Sequence, residues 1–294
     1  MRRMARAADD GYEHDLVPGL RATAEATRLA DEMAFATARL ERLATDPPGL
    51  DAEVARLARD GDVEEAAWLT FLIAYLSPVE GPDPFHSIEQ ARVPWATGEL
   101  PDLEGVELGP RTAHDPRRGT ATLAAYRAWA QRAGSQAAAY AGEPSWTPQR
   151  RFERSYERLA LPGFSRGPRY ELLVLLGTLG VFDLRPWSLH LVDAMDPATV
   201  AAKRVFGIGD ALNLQRRATD LATAAGVPME ALDLALVNWS RPEDERITGG
   251  VPAAADPARR DALRALLRAQ PAEAEAEAEA EAEAEGDAEA PAAD

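Results

Sequence analysis

The sequence predicts an all-α protein. Ala, Leu, Arg and Glu recur at helical spacing along most of the 294 residues, the alternation of β-branched residues that marks strands is scarce, and the breaks in the pattern fall at Pro and Gly. The chain has no cysteine, which excludes disulfides, thiolate nucleophiles and cysteine-ligated zinc or iron–sulfur clusters.

Each element follows from its punctuation. Gly19 to Ala44 reads as a long helix that ends before Pro47-Pro48, and Leu50 to Arg59 as a shorter one stopped at Gly61. Asp62 is placed to cap the next helix. That helix carries Trp68, Leu69, Leu72, Ile73 and Leu76, is apolar nearly all round, and is expected at the centre of the core. It stops at Pro78. From Val79 to Arg118 the chain is rich in Pro and Gly, with one short helix around Phe85 to Arg92. A loop this long, its 93–117 stretch included, is either functional or flexible. Further helices are predicted at Thr120 to Ala141, Thr147 to Ala160, Arg169 to Leu179, Pro197 to Phe206, Ala211 to Ala225, Met229 to Trp239 and Pro257 to Gln270. Residues 1–18 read as a flexible N-terminus and 19–270 as one globular body.

Residues 271–294 read as a disordered acidic tail, with Glu at every second position from Glu273 to Glu285 and nothing apolar larger than Ala. Such a tail is a solubilising appendage or an internal competitor for a basic surface.

The net charge of −17 argues against a polyanionic partner, but it is unevenly spread. Residues 146–218 hold 11 Arg or Lys against 7 Asp or Glu, whereas 271–294 hold ten acids and no base. The opening Met1-Arg2-Arg3-Met4-Ala5-Arg6 has no apolar run behind it, and the stretches Trp68 to Leu76 and Leu172 to Phe182 are too short to span a bilayer. A cytoplasmic protein without membrane contact is expected. His14, His86 and His114 are scattered without ligand spacing, so no metal site is expected. No phosphate loop, nucleophile elbow or dinucleotide fingerprint occurs, and no cofactor is expected.

Two glycine turns lie between predicted helices in the basic segment: Leu161-Pro162-Gly163-Phe164-Ser165-Arg166-Gly167-Pro168-Arg169, and Phe206-Gly207-Ile208-Gly209-Asp210. A tight turn between helices aims the amides of the second helix outward, where they and the helix dipole favour a phosphate. Arg166 and Arg169 flank the first turn. Lys203, Arg204, Arg216 and Arg217 flank the second. On this reading Gly163, Gly207, Gly209, Arg166, Arg169, Arg204 and Arg216 grip a nucleic-acid backbone. The plainer reading makes Gly207 a helix C-cap and Asp210 the N-cap that satisfies the same amides.

Leu161-Pro162-Gly163-Phe164-Ser165-Arg166, Leu176-Gly177-Thr178-Leu179-Gly180, Arg204-Val205-Phe206-Gly207 and Asn238-Trp239 resemble the helix-hairpin-helix DNA glycosylase superfamily. Within it the stretch Trp146 to Trp239 looks most like the α-glutamyl/putrescinyl thymine pyrophosphorylases. The resemblance implies a glycosylase-like helical fold that binds DNA, and chemistry on an extruded base in which an amine replaces pyrophosphate on a modified thymine. It also implies a catalytic Asp some twenty residues after the hairpin. Asp183 falls there but outside the usual context, and Asp193 is the other candidate.

The lysine of bifunctional glycosylases is missing from the hairpin, which carries Arg166, Gly167 and Arg169 instead. Lys203 serves as a Schiff-base lysine only if desolvated. His190 and Asp193, three apart, suit one helix face as a base and its orienting carboxylate. Trp187, between Pro186 and Ser188, is placed to stack on an extruded base. The alternative to a DNA-modifying enzyme is a non-catalytic helical adaptor whose acidic surface binds a basic partner.

Deleting residues 271–294 separates these readings. If the tail competes for a phosphate site, the truncated chain binds duplex DNA more tightly at low salt in fluorescence anisotropy, and added salt weakens that binding steeply. An adaptor shows neither effect.

Overall fold

The computed structural model describes residues 7–269, which form twelve α-helices, three short 3₁₀ turns and no strand. The core is laid down around α3 (Val63–Leu76), which begins where the Asp62 carboxylate accepts the Glu65 amide. Every residue from Ala66 to Leu76 is buried. A helix apolar on all faces needs neighbours on all faces, and α3 finds them in α2 (Gly49–Arg59), α6 (Gln136–Ala141) and α8 (Arg166–Thr178). Its Phe71 ring stacks on Tyr126 of α5 (Ala121–Arg132), with centroids 3.8 Å apart. Trp68 is anchored by donating Nε1–H to the Val93 carbonyl.

A second layer runs beside it. The long α1 (Thr23–Thr45) lies along α11 (Met229–Trp239) and α12 (Pro257–Leu266), while α11 also packs on α9 (Pro197–Phe206), which carries α10 (Ala211–Ala225). Helix α7 (Pro148–Arg158) packs against α8. Among the described residues no helix is long and apolar enough to cross a membrane.

Three expectations change. The stretch Thr120 to Ala141 is two helices, because Gly134 turns at φ 93° and the Ser135 hydroxyl accepts the Ala138 amide to start α6 afresh. In the Pro-rich stretch after α3, the short α4 (His86–Ala91) is joined by 3₁₀ turns at Trp95–Thr97 and Pro116–Arg118. Residues 7–18, expected to be flexible, are anchored: Tyr12 is buried and donates its hydroxyl to the Leu267 carbonyl at 2.9 Å. Residues 1–6 and the acidic tail from 270 onward lie outside the described residues.

One buried acid costs stability. Asp51, in the first turn of α2, is 1% exposed, and neither carboxyl oxygen has a hydrogen-bond partner. Burial pushes its pKa from 3.8 up to about 7, opposed by Arg39 and assisted by Glu171. Below pH 4 the group is protonated folded or unfolded and costs nothing electrostatic. As pH rises from 4 to 7 only the unfolded chain ionises, so stability falls and then stays level. Asp51→Asn should therefore raise the unfolding free energy at pH 8 by up to roughly 4 kcal/mol. In urea denaturation that gain should shrink towards zero below pH 4.

Candidate active-site cleft

The first glycine turn sets the geometry. Gly163 takes φ 78°, and a Cβ there would meet the Thr122 hydroxyl oxygen at 2.7 Å, so only glycine fits against α5. Thr122 in turn donates to the Pro162 carbonyl at 2.8 Å. Helix α8 then starts at Arg166, three residues earlier than the sequence predicts, with no side-chain cap from Ser165.

Arg166 points into the protein and is 2% exposed. Its Nε donates to the Leu189 carbonyl at 3.0 Å, its Nη1 donates to Asp233 Oδ1, and Asp196 Oδ2 lies 3.6 Å from that nitrogen. The other Asp233 oxygen accepts from Arg111 Nη2 at 2.7 Å. Arg111 Nη1 donates to Glu171 at 2.9 Å, and Glu171 also accepts from Arg39 at 2.9 Å. Charges of alternating sign thus run from α1 through α8 and α11 to the start of α9.

Burial opposes the charges of Arg111, Arg166 and Asp233, yet their partners win. Asp233 and Asp196 hold the Arg166 pKa above the ordinary arginine value despite burial. Arg166 and Arg111 likewise hold Asp233 below the usual carboxylate range. Asp196 behaves differently: burial, with Asp233 adding to it, outweighs Arg166 and raises its pKa.

This chain forms one wall of a cleft of about 1060 Å³ between the starts of α8 and α9 and the end of α11. The volume suits a nucleotide-sized ligand. Arg111, Arg204 and Arg241 supply cations to it, Asp193, Asp196 and Glu245 supply acids, and Met195, Val200 and Val237 supply apolar surface. Asp196 Oδ2 accepts the Thr199 amide at 3.0 Å and so caps α9, leaving Oδ1 without a hydrogen-bond partner among the described residues. Beside it Gly167 leaves a gap. The point its Cβ would occupy lies 3.4 Å from Asp196 Oδ1 and 3.7 Å from Arg111 Nη2. A carboxylate oxygen and a guanidinium therefore face the same empty spot.

The residues singled out in the sequence are distributed unevenly around this cleft. Asp193 and Arg204 line it. Arg204 also pairs with Glu25 at 3.3 Å and lies over the Trp239 ring. Arg166 is not a surface grip, because two buried acids and a carbonyl claim its guanidinium. Arg169 stacks on Tyr156 at 4.0 Å and donates to that residue's hydroxyl at 3.0 Å. Gly207 is a left-handed C-cap packed on Gly19, Gly209 sits in open space, and the Asp210 carboxylate takes the Asn213 amide, so the second turn is an ordinary helix junction. Arg216 is exposed on α10, away from the cleft lining.

Asp183 is exposed and paired with Arg151 at 2.8 Å, outside the cleft. His190 and Asp193 share no helix. His190 is held in a loop at φ 52°, stacked on Tyr156 with its Nε2 3.1 Å from Glu153. Lys203, in the last turn of α9, does not line the cleft, nor does the exposed Trp187. Gly167 lines the cleft and brings no side chain to it.

Sequence reasoning missed Arg111, Glu171, Asp196 and Asp233. Two of them carried a signal. Asp196 precedes Pro197 at a helix start, and Asp233 stands alone within Ala231-Leu232-Asp233-Leu234-Ala235, where an unpaired carboxylate is untenable.

Over residues 111–247 the chain matches the family model of alpha-glutamyl/putrescinyl thymine pyrophosphorylase clade 3. No curated protein and no solved structure matches the chain. The branch is the one the glycine-turn motifs resemble, but the matched span reaches further on both sides than Trp146 to Trp239. It opens at Arg111 and closes at Ile247, and apart from Pro110 it contains every residue lining the cleft.

Removing Arg166 distinguishes a buried charge partner from a surface contact. Arg166→Ala leaves Asp233 short of a counter-charge in the core, so it should lower the unfolding free energy by about 3–5 kcal/mol. A residue that only touches DNA would leave the urea midpoint unchanged.

Proposed function

We propose that this chain is a DNA-modifying enzyme in which an amine displaces pyrophosphate from a modified thymine extruded into the cleft. The observation that carries the reading is the coincidence of the cleft with the segment matched to the thymine pyrophosphorylases. The α7–turn–α8 unit serves as its helix-hairpin-helix. Ser165 leaves the first α8 amides without a side-chain cap at the cleft rim, where the helix dipole favours an anion.

The chemistry assigns itself to the groups around Gly167. The carbon–oxygen bond to pyrophosphate breaks, a carbon–nitrogen bond to the amine forms, and the proton the amine loses goes to Asp196 Oδ1. Pyrophosphate departs toward Arg111, whose guanidinium is held in place by Glu171 and Asp233 before substrate arrives. A preorganised cation in a partly dry site stabilises developing anionic charge better than water does, because nothing has to reorient during the step. Arg204 and Arg241 extend the cationic lining. The raised pKa of Asp196 makes it a stronger base than an ordinary aspartate, and it must be ionised to act.

The test is pyrophosphate release from duplex DNA carrying pyrophosphorylated 5-hydroxymethyluracil, with and without added amine. Asp196→Asn should lower kcat about 10²–10⁴-fold. In the parent, kcat should rise with pH through the raised Asp196 pKa. Gly167→Ala is the sharper variant. Its methyl meets only ordinary contacts at 3.4 and 3.7 Å, so the fold holds, but it occupies the spot between carboxylate and guanidinium. Turnover should fall at least tenfold with an unchanged urea midpoint. Full activity in either variant removes the assignment.

A further inference from the structure

Helix α7 buries Phe152, Ser155 and Tyr156 and turns its opposite side to solvent. Arg150, Arg154 and Arg158 are exposed on that side, and their spacing of four residues sets them in one stripe along the helix. Glu157 shares the stripe and pairs with Arg154 at 2.8 Å. Arg150 lies over the Trp146 ring at 5.1 Å, and Arg158 has no partner among the described residues. The charges on the flanks are already engaged: Arg151 holds Asp183, and Glu153 faces His190. Like charges one helical turn apart repel, so the stripe costs helix stability until something negative lies along it. No residue of α7 lines the cleft, and the stripe has no part in the site already described.

The chain itself carries a matching pattern. Residues 271–294, outside the described part, hold ten acids and no base, with Glu at every second position from Glu273 to Glu285. In an extended segment successive side chains alternate sides, so those glutamates share one edge at a repeat of roughly 6.6 Å. Four residues of α-helix advance about 6 Å. Laid lengthwise on α7, the segment sets a carboxylate opposite each arginine in turn. Reach is no obstacle, because residues 270–294 span up to roughly 80 Å when drawn out, against a folded body roughly 50 Å across. The arginines of α12, nearer in sequence, are already claimed: Arg259 forks onto Glu41 and Arg264 onto Asp31.

We propose that the acidic segment 271–294 docks lengthwise on the arginine stripe of α7, carboxylates against guanidinium groups. Exposed ion pairs are individually weak and fade with salt. A segment tethered to the same chain meets the stripe at a high effective concentration, an advantage that a separate acidic partner does not share. The docked segment screens α7 from other polyanions, so that only a ligand of higher charge density displaces it. Docking does not depend on the activity proposed for the cleft.

The chain has no cysteine, so Ala280→Cys places a single nitroxide spin label on the full chain. At low salt the label should broaden the backbone amide signals of α7 to less than about half their intensity in the reduced, diamagnetic sample, and more than those of any other helix. At about 1 M salt, where the screening length is about 3 Å, the signals should recover. Replacing all three arginines, Arg150→Ala, Arg154→Ala and Arg158→Ala, keeps helix-forming residues at exposed positions. It should abolish the broadening without lowering the urea midpoint. The triple change to Lys should keep the broadening, because the charges and their spacing survive. Broadening centred on another helix, such as α10 with Arg216 and Arg217, or none beyond that seen at high salt, overturns the docking. So does a parent in which added duplex DNA shifts the α7 amides while the label leaves them sharp, which gives the stripe to nucleic acid.

Discussion

The structure turns on the carboxylate of Asp233, enclosed between the guanidinium groups of Arg166 and Arg111. Three segments distant in sequence meet at that one group: the loop before α5, the start of α8 and the middle of α11. A lone charge there would be untenable in a low-dielectric interior. Two arginines on one carboxylate, with Glu171 and Asp196 as their further partners, keep the cluster balanced. Asp51 has no such partners, and its pKa shifts instead. The contrast between the two acids shows that partners, and not burial as such, decide which groups keep their charge.

From that balance the cleft acquires its character. Arg111 shares its charge with acids behind it but keeps an edge on the open space beside Gly167. Asp196 spends one oxygen on capping α9 and presents the other to the same space. Helix capping and a charge network, both of which any stable helical protein needs, therefore leave an acid and a cation converging on a gap that one missing side chain keeps open. The mobile ends of long arginines are fixed by packing well before any ligand arrives, which is the condition for electrostatic stabilisation without reorganisation.

Helices were readable from the sequence because periodicity and punctuation are local properties. Asp62, Pro78, Gly207 and Asp210 act in the structure as their residue types dictate. The break at Gly134 was less legible, since an isolated glycine also occurs inside helices. The glycine-turn motifs led to the family branch that residues 111–247 match, yet the surface role given to Arg166 did not follow. A guanidinium beside a turn has the same letter whether it faces water or a carboxylate some seventy residues away, and Arg166 finds Asp233 only through the tertiary fold. Proximity in sequence favoured Asp183 and Asp193 as the acid. In the structure Asp183 lies outside the cleft and Asp193 lines it, while Asp196 is the acid with an oxygen beside Gly167.

The same network reaches outside the matched segment, and this bears on how the molecule is divided. Arg39 of α1 grips Glu171, the Glu25 side chain pairs with Arg204 at the cleft, and the Glu25 carbonyl accepts Trp239 Nε1–H at 2.9 Å. Helix α1 lies along α11, the element that carries Asp233. Cutting the chain at residue 110 would strip one partner from Glu171, unpair Arg204, and expose the apolar face of α11 to water. The first hundred residues are therefore not an appendage to the matched segment. They are the other half of the scaffold that keeps Arg111 and Asp196 aimed at one point, and an isolated 111–247 fragment has neither the core nor the charge balance to hold that aim.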